Sequence, residues 1–150
     1  MKLEVYTDGS CFEDLSIGGW GVYIVLNNKK IQFSGSCSCK NSISAELTAI
    51  LKALEYIEYY LYDIETIEIF TDCDFIAKIA KQFNAKKKGF YRTKTSLKHK
   101  NLVDQLFGYM SMFNIKWNVV KSHRGIKGNE IADALAKKAA RISIKQRIGG

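Results

Sequence analysis

From Lys2 to Thr7 polar and apolar residues alternate, the two-residue period of a half-buried strand. Paired glycines at 18–19 mark a turn, and Trp20 to Leu26 is then rich in β-branched and aromatic residues. Asn27-Asn28-Lys29-Lys30 turns the chain again into Ile31–Ser36, which closes a hairpin. These three segments predict an antiparallel meander. After Ser42 the period lengthens: Leu47, Ile50, Leu51, Leu54, Ile57 and Leu61 recur at helical spacing, with Ser42 or Ser44 as the cap and Asp63 as the break. Glu65–Thr71 alternates again, with Ile67, Ile69 and Thr71 on one face. Helices are predicted near 74–83, over Asn101–Phe113 and over Glu130–Arg141, with a strand over Ile115–Val120 and a basic tail at the end. A meander followed by strand–helix–strand crossovers predicts an α/β fold: one domain over residues 1–150, built on a mixed sheet with helices on both faces.

Composition agrees with a globular chain. The 150 residues are 47% hydrophobic and 25% charged. No apolar run approaches the roughly 18 residues of a membrane span, and an acid at Glu4 interrupts any leader-like start. Charge changes the picture more. Residues 1–80 hold 6 bases and 12 acids, net −6, whereas residues 81–150 hold 17 bases and 3 acids, net +14. So basic a half points to a polyanionic partner, although a solvated charged surface has the same composition. Cys11, Cys37, Cys39 and Cys73 match neither a disulfide framework nor a zinc spacing. Four free thiols in a reducing, cytoplasmic setting are expected.

Two predicted strands end alike, in Thr7-Asp8-Gly9 and Thr71-Asp72-Cys73. Taken singly, either Asp is an ordinary strand-end residue. As parallel neighbours about 4.8 Å apart, the two would set unpaired carboxylates side by side, and such a pair calls for a hard divalent cation, Mg²⁺ or Mn²⁺. Glu46 borders the apolar stripe of its helix, and Asp133 lies between the apolar and polar sides of the last helix. Both are placed to point toward the sheet. His123 lies in a glycine-bearing loop, Ser122 to Asn129, ten residues before Asp133. Beside a metal–carboxylate site a loop His serves to shuttle protons or to help product leave.

Together these segments resemble the type 1 ribonucleases H, in their compact bacterial form. The resemblance covers residues 2–141. It is carried by Tyr6-Thr7-Asp8-Gly9-Ser10-Cys11, Gly18-Gly19-Trp20-Gly21, Ala45-Glu46-Leu47 and Phe70-Thr71-Asp72-Cys73. It closes on Ser122-His123-Arg124-Gly125-x-x-Gly128-Asn129-Glu130-x-Ala132-Asp133-x-Leu135-Ala136. It implies a ribonuclease H-like, five-stranded mixed sheet of order 3-2-1-4-5 flanked by helices. It also implies metal-dependent endonucleolytic hydrolysis of the RNA strand of an RNA/DNA hybrid by a monomer, leaving 5′-phosphate and 3′-hydroxyl ends. Asp8, Glu46, Asp72 and Asp133 then hold two Mg²⁺ ions, which Mn²⁺ replaces, and His123 joins them as a catalytic residue. By the same resemblance, the backbone of Gly9, Ser10 and Cys11 and the Glu46 side chain meet the RNA 2′-hydroxyl. The run Lys86, Lys87, Lys88, Phe90, Tyr91 and Arg92 resembles a basic protrusion that grips the DNA strand. Ser42, Lys100, Asn101 and Asn129 fall at further substrate positions.

Three departures stand out. Residues 12–17 (Phe-Glu-Asp-Leu-Ser-Ile) replace the usual Asn-Pro-Gly turn and add two acids near the substrate path. Ser42 stands where Asn is usual, and Asp74 where a neutral residue is common. The competing readings are a resolvase or exonuclease of the same fold, or a hybrid-binding module without catalysis. The His loop and basic segment speak against the first, and the four carboxylates against the second.

Overall fold

A computed structural model describes residues 2–84, 94–121 and 125–149. Strands β1 (Lys2–Phe12), β2 (Ile17–Leu26) and β3 (Lys29–Ser38) are followed by helix α1 (Ser42–Tyr60). Then come β4 (Thr66–Thr71), α2 (Asp74–Asn84), α3 (Lys94–Lys98), α4 (Lys100–Met112), β5 (Ile115–Val119) and α5 (Lys127–Gly149). The five strands form one sheet of order β3-β2-β1-β4-β5, as the family resemblance implied. β2 is antiparallel to both β1 and β3, whereas β4 is parallel to both β1 and β5.

The two faces of the sheet are built differently. On one, Leu3, Val5, Val22, Ile24, Ile67 and Ile69 are fully buried against Leu47, Ile50, Leu54 and Ile57 of α1. Burial of such side chains contributes about 1.5–3 kcal/mol each before ordering costs are counted. On the other, α5 carries few large apolar residues and approaches through Ala132, Ala136, Ala139 and Ala140, all buried. Helix and sheet come this close because β2 has no side chains beneath them. A Cβ at Gly19 would lie 2.3 Å from the Ala136 carbonyl oxygen, and one at Gly21 the same distance from that of Ala132.

That packing corrects one expectation. Gly18 and Gly19 do not form a turn but lie inside β2. The chain reverses one step earlier, through a single 3-10 turn at Glu13–Leu15 and a left-handed Ser16 at φ 53°. The α1 cap also differs. Asn41 is the cap, accepting from the Ser44 N–H at 2.9 Å, while the Ser44 hydroxyl accepts from the Asn41 N–H at 3.2 Å. The basic tail is not a tail. Nothing between Arg141 and Gly149 breaks a helix, and α5 continues through it.

The four thiols are not all free. Cys11 and Cys39 form a disulfide, while Cys37 and Cys73 remain free. Cys11 and Cys37 both pair with Gly18, one from each neighbouring strand. The missing side chain at Gly18 leaves room for the Cys39 sulfur, which would lie 2.8 Å from a Cβ placed there. The thiol count therefore no longer supports a reducing compartment.

Gly21→Ala is expected to lower stability by about 1–3 kcal/mol, because the new methyl meets helix backbone that cannot swing aside. Gly108→Ala, in α4 with nothing within 4 Å, is expected to raise stability by about 0.5–1 kcal/mol through helix propensity. Thermal unfolding of the two variants checks both signs.

Candidate active site

Asp8 and Asp72 meet because β1 and β4 run parallel and in step. Their last paired residues are Tyr6 and Phe70, and each Asp lies two residues further on. The Tyr6 and Phe70 rings stack at 4.6 Å between centroids, which reinforces that register. Glu46 arrives from α1 through an unusually close contact: a Cβ at Gly9 would lie 2.3 Å from the Ala45 carbonyl carbon and 2.5 Å from the Glu46 nitrogen. A glycine immediately after Asp8 thus lets the helix bring its acid to the strand end. Asp133 comes from the opposite face. Asp8 pairs across the sheet with Gly21, and Gly21 lies under Ala132, the residue before Asp133. The start of α5 rests on Tyr6, whose ring a Cβ at Gly128 would meet at 2.5 Å.

The result is a dense acidic cluster. One carboxylate oxygen from each of Asp8, Glu46 and Asp72 lies within 4.8 Å of the others. Asp8 and Glu46 are each only 8% exposed. Burial, first, and the charges of Asp72 and Asp133 push the Asp8 carboxyl up to about 7. Glu46 also moves well above the usual carboxylate range, through burial and then its hydrogen bond and repulsion with Asp8. The two carboxyls lie in direct contact, so protonation of one bears on the other. The Gly9 N–H donates to Asp8 Oδ1 at 2.9 Å, whereas the buried Glu46 Oε2 has no hydrogen-bond partner among the described residues. Asp133 interacts with Asp8 and pairs with Lys137 at 3.0 Å, one turn further along α5.

An unsatisfied buried carboxylate oxygen among like charges suits a hard divalent cation, which accepts several oxygen ligands and removes the repulsion. The residues present therefore fit the metal that the sequence called for. Asp74, the added acid, is exposed in the first turn of α2.

Between the end of β3, the start of α1 and the start of α4 lies a cleft of about 340 Å³ whose lining includes Lys40, Ser44, Lys98, His99 and Asn101. His99 is buried, with Nδ1 2.8 Å from the Thr95 carbonyl oxygen and Nε2 3.2 Å from Asn41 Oδ1. It ties the start of α4 to the cap of the helix that carries Glu46. Sequence reasoning passed over both residues, though Asn41 and Ser44 have the spacing of a capping box. Of the other predicted substrate residues, Gly9, Ser10 and Cys11 are partly exposed at the end of β1, Ser42 is exposed, and Lys100 pairs with Asp104 at 2.7 Å. Asn129 places a buried Oδ1 at the start of α5, without a hydrogen-bond partner among the described residues. His123 and the run Lys86, Lys87, Lys88, Phe90, Tyr91 and Arg92 lie outside the described residues.

A family model described as RNase H matches residues 1–141. The chain belongs to the RNase H family. A ribonuclease H of Ruthia magnifica subsp. Calyptogena magnifica is 36% identical over 141 residues, covering 92% of this chain and 94% of that protein. One of Bartonella bacilliformis is 32% identical over 140 residues, covering 91% and 88%. Among solved structures, LC9-RNase H1, described as a type 1 RNase H with the type 2 active-site motif, superposes with a TM-score of 0.74. It is 20% identical and covers 93% of this chain and 72% of that one. LC11-RNase H1, isolated from compost by a metagenomic approach, gives a TM-score of 0.70 at 21% identity, covering 95% and 98%. The RNase H family is a metal-dependent family of nucleic-acid hydrolases, so the expectation of an enzyme stands.

Without metal, the cluster sets a pH dependence. The folded chain keeps a proton on Asp8 up to about pH 7, whereas the unfolded chain loses it near 3.8. The folded state thus binds more protons across that window, and stability falls as pH rises through it. Asp8→Asn removes the term and is expected to stabilise the metal-free protein at pH 8 by on the order of 2 kcal/mol. Unfolding in EDTA at pH 5 and pH 8 measures this. A variant no more stable than the parent at pH 8 would contradict the origin assigned to the shift.

Proposed function

We propose that the chain hydrolyses the RNA strand of RNA/DNA hybrids, at the cluster of Asp8, Glu46, Asp72 and Asp133. The observation that carries this reading is the gathering of buried carboxylates at the adjoining ends of β1 and β4, with a glycine beside Asp8. These acids would hold two Mg²⁺ ions, or Mn²⁺ in their place, whose chemistry would be to lower the pKa of an attacking water and to stabilise charge on the leaving 3′ oxygen. Asp8, on the central strand and interacting with each of the other three acids, would serve both ions. Glu46 and Asp72 hold the leaving-group side, and Asp72 and Asp133 hold the water side. The products are a 5′-phosphate and a 3′-hydroxyl.

The remaining groups select and orient the substrate. Backbone at Gly9, Ser10 and Cys11 is only partly buried beside Asp8, where it meets the RNA 2′-hydroxyl together with Glu46. The basic cleft formed by Lys40, Lys98 and Asn101 suits a backbone phosphate of the second strand. Residues 86–92 are assigned to the DNA strand and His123 to proton transfer, on the sequence alone. Among the described residues no helix is long and apolar enough to cross a membrane.

Cleavage of an end-labelled hybrid, beside duplex RNA and duplex DNA, tests the reading. Cutting confined to the hybrid's RNA strand, present with Mg²⁺ and absent with EDTA, is expected. Comparable cutting of duplex DNA, or cutting that survives EDTA, would sink it. Asp72→Asn is expected to lower kcat by about 10³-fold or more with folding intact. Replacing Lys86, Lys87 and Lys88 together by Ala should raise KM and flatten its salt dependence, since the salt slope falls by about one for every phosphate the protein no longer neutralises.

A further inference from the structure

The loop that follows Gly9-Ser10-Cys11 is anchored at its ends, where Phe12 pairs with Ile17, but its own residues have little packing around them. None of Glu13–Leu15 is buried, and Phe12 and Leu15 are 41% and 44% exposed. Ser16 adopts a left-handed backbone that a side chain disfavours. With no core packing, the loop relies on its ties. On one side the Cys11–Cys39 disulfide and the Cys39 N–H donating to the Ser16 carbonyl at 3.3 Å join it to the end of β3. On the other, α5 reaches it. Arg147 Nη1 donates to the Leu15 carbonyl oxygen at 2.7 Å, across 132 positions of sequence. Arg147 lies in the last turn of α5, and residues 142–149 carry that helix past the region matched by the family model. The same loop holds Glu13 and Asp14 in place of the turn usual for the family.

We infer that the C-terminal extension of α5 is a strut whose Arg147 positions the 13–16 loop beside the hybrid's path and thereby sets affinity for substrate. This inference rests on the reading that the chain cuts hybrids. A charge-assisted hydrogen bond to a backbone carbonyl is the stronger kind, and it fixes the carbonyl without depending on the loop's side chains. The guanidinium also delivers positive charge to a loop with two acids, which would otherwise repel the phosphate backbone. Arg147 does not reach the carboxylate cluster, so it acts on binding and not on the chemical step. Removing such a hydrogen bond raises KM and spares kcat.

Steady-state cleavage of a hybrid by the full chain, by Arg147→Ala and by Arg147→Lys tests this, alongside thermal unfolding of each. The Ala variant is expected to raise KM about fivefold with kcat within about twofold. Its Tm should stay within about 2 °C of the parent, because an exposed hydrogen bond contributes little to stability. Arg147→Lys keeps a charged donor and should recover most of the KM. An unchanged KM in Arg147→Ala would overturn the inference, as would a parallel loss of kcat and Tm, which marks a merely stabilising residue. Failure of the unaltered chain to cut the hybrid would overturn the underlying reading as well, and is seen without any variant.

Discussion

Carboxylates that repel one another are held together here by packing that would be costly to undo. Asp8, Glu46 and Asp72 bring oxygens within 4.8 Å, and two of the three are almost fully buried. Left to itself, such a group separates or takes up protons. Separation is blocked by backbone contacts with no slack. Gly9 lies against the backbone of Ala45 and Glu46, and Gly21, paired to Asp8, lies against that of Ala132. Behind them stands the apolar core of α1 and the sheet, too well packed to yield to the repulsion of a few charges. Protonation therefore absorbs the strain when no cation is present: burial first, and the neighbouring charges after it, raise both Asp8 and Glu46.

The same logic explains the unequal faces of the sheet. One is covered by large side chains that supply the hydrophobic driving force. The other is covered by an alanine-lined helix over glycines, which adds less apolar area but brings Asp133 close to Asp8. Charge is partitioned in parallel. The first 80 residues carry net −6 and hold three of the four acids of the site, while the remaining 70 carry net +14. The net +8 of the chain conceals a negative pocket suited to cations and a basic remainder suited to a polyanion.

Much of this was legible in the sequence, for identifiable reasons. Period-two and helical spacing differ clearly along most of the chain, so the order of elements followed, while the strand order came from the family resemblance. The repeated Thr-Asp strand ends gave the pairing of Asp8 with Asp72, because parallel strands in register must juxtapose their termini. Two of the misreadings share one cause: a local signal was outweighed by a distant partner. Gly18 and Gly19 read as a turn, yet they are glycine because a sulfur and a helix backbone occupy the space above them. Cys11 and Cys39 stand 28 positions apart, with Cys37 a nearer companion to Cys39, so nothing local singled out the pair that bonds. The last residues read as a basic tail, yet Lys145, Gln146 and Arg147 are good helix formers with no breaker before Gly149. Asn41 was hidden as a cap by two equally suitable serines beside it.

The central claim is that a trapped carboxylate repulsion, relieved by protons in the free protein, is relieved by divalent cations in the active one. Calorimetric titration of Mg²⁺ into the metal-free chain, in buffers of different ionisation enthalpy, counts the protons that leave as the cation enters. Near pH 6 the account predicts release of about one proton from the Asp8–Glu46 pair, diminishing as pH rises well above 7. Mg²⁺ binding that releases no protons at pH 6 would show that the carboxylates were already ionised, and would contradict it.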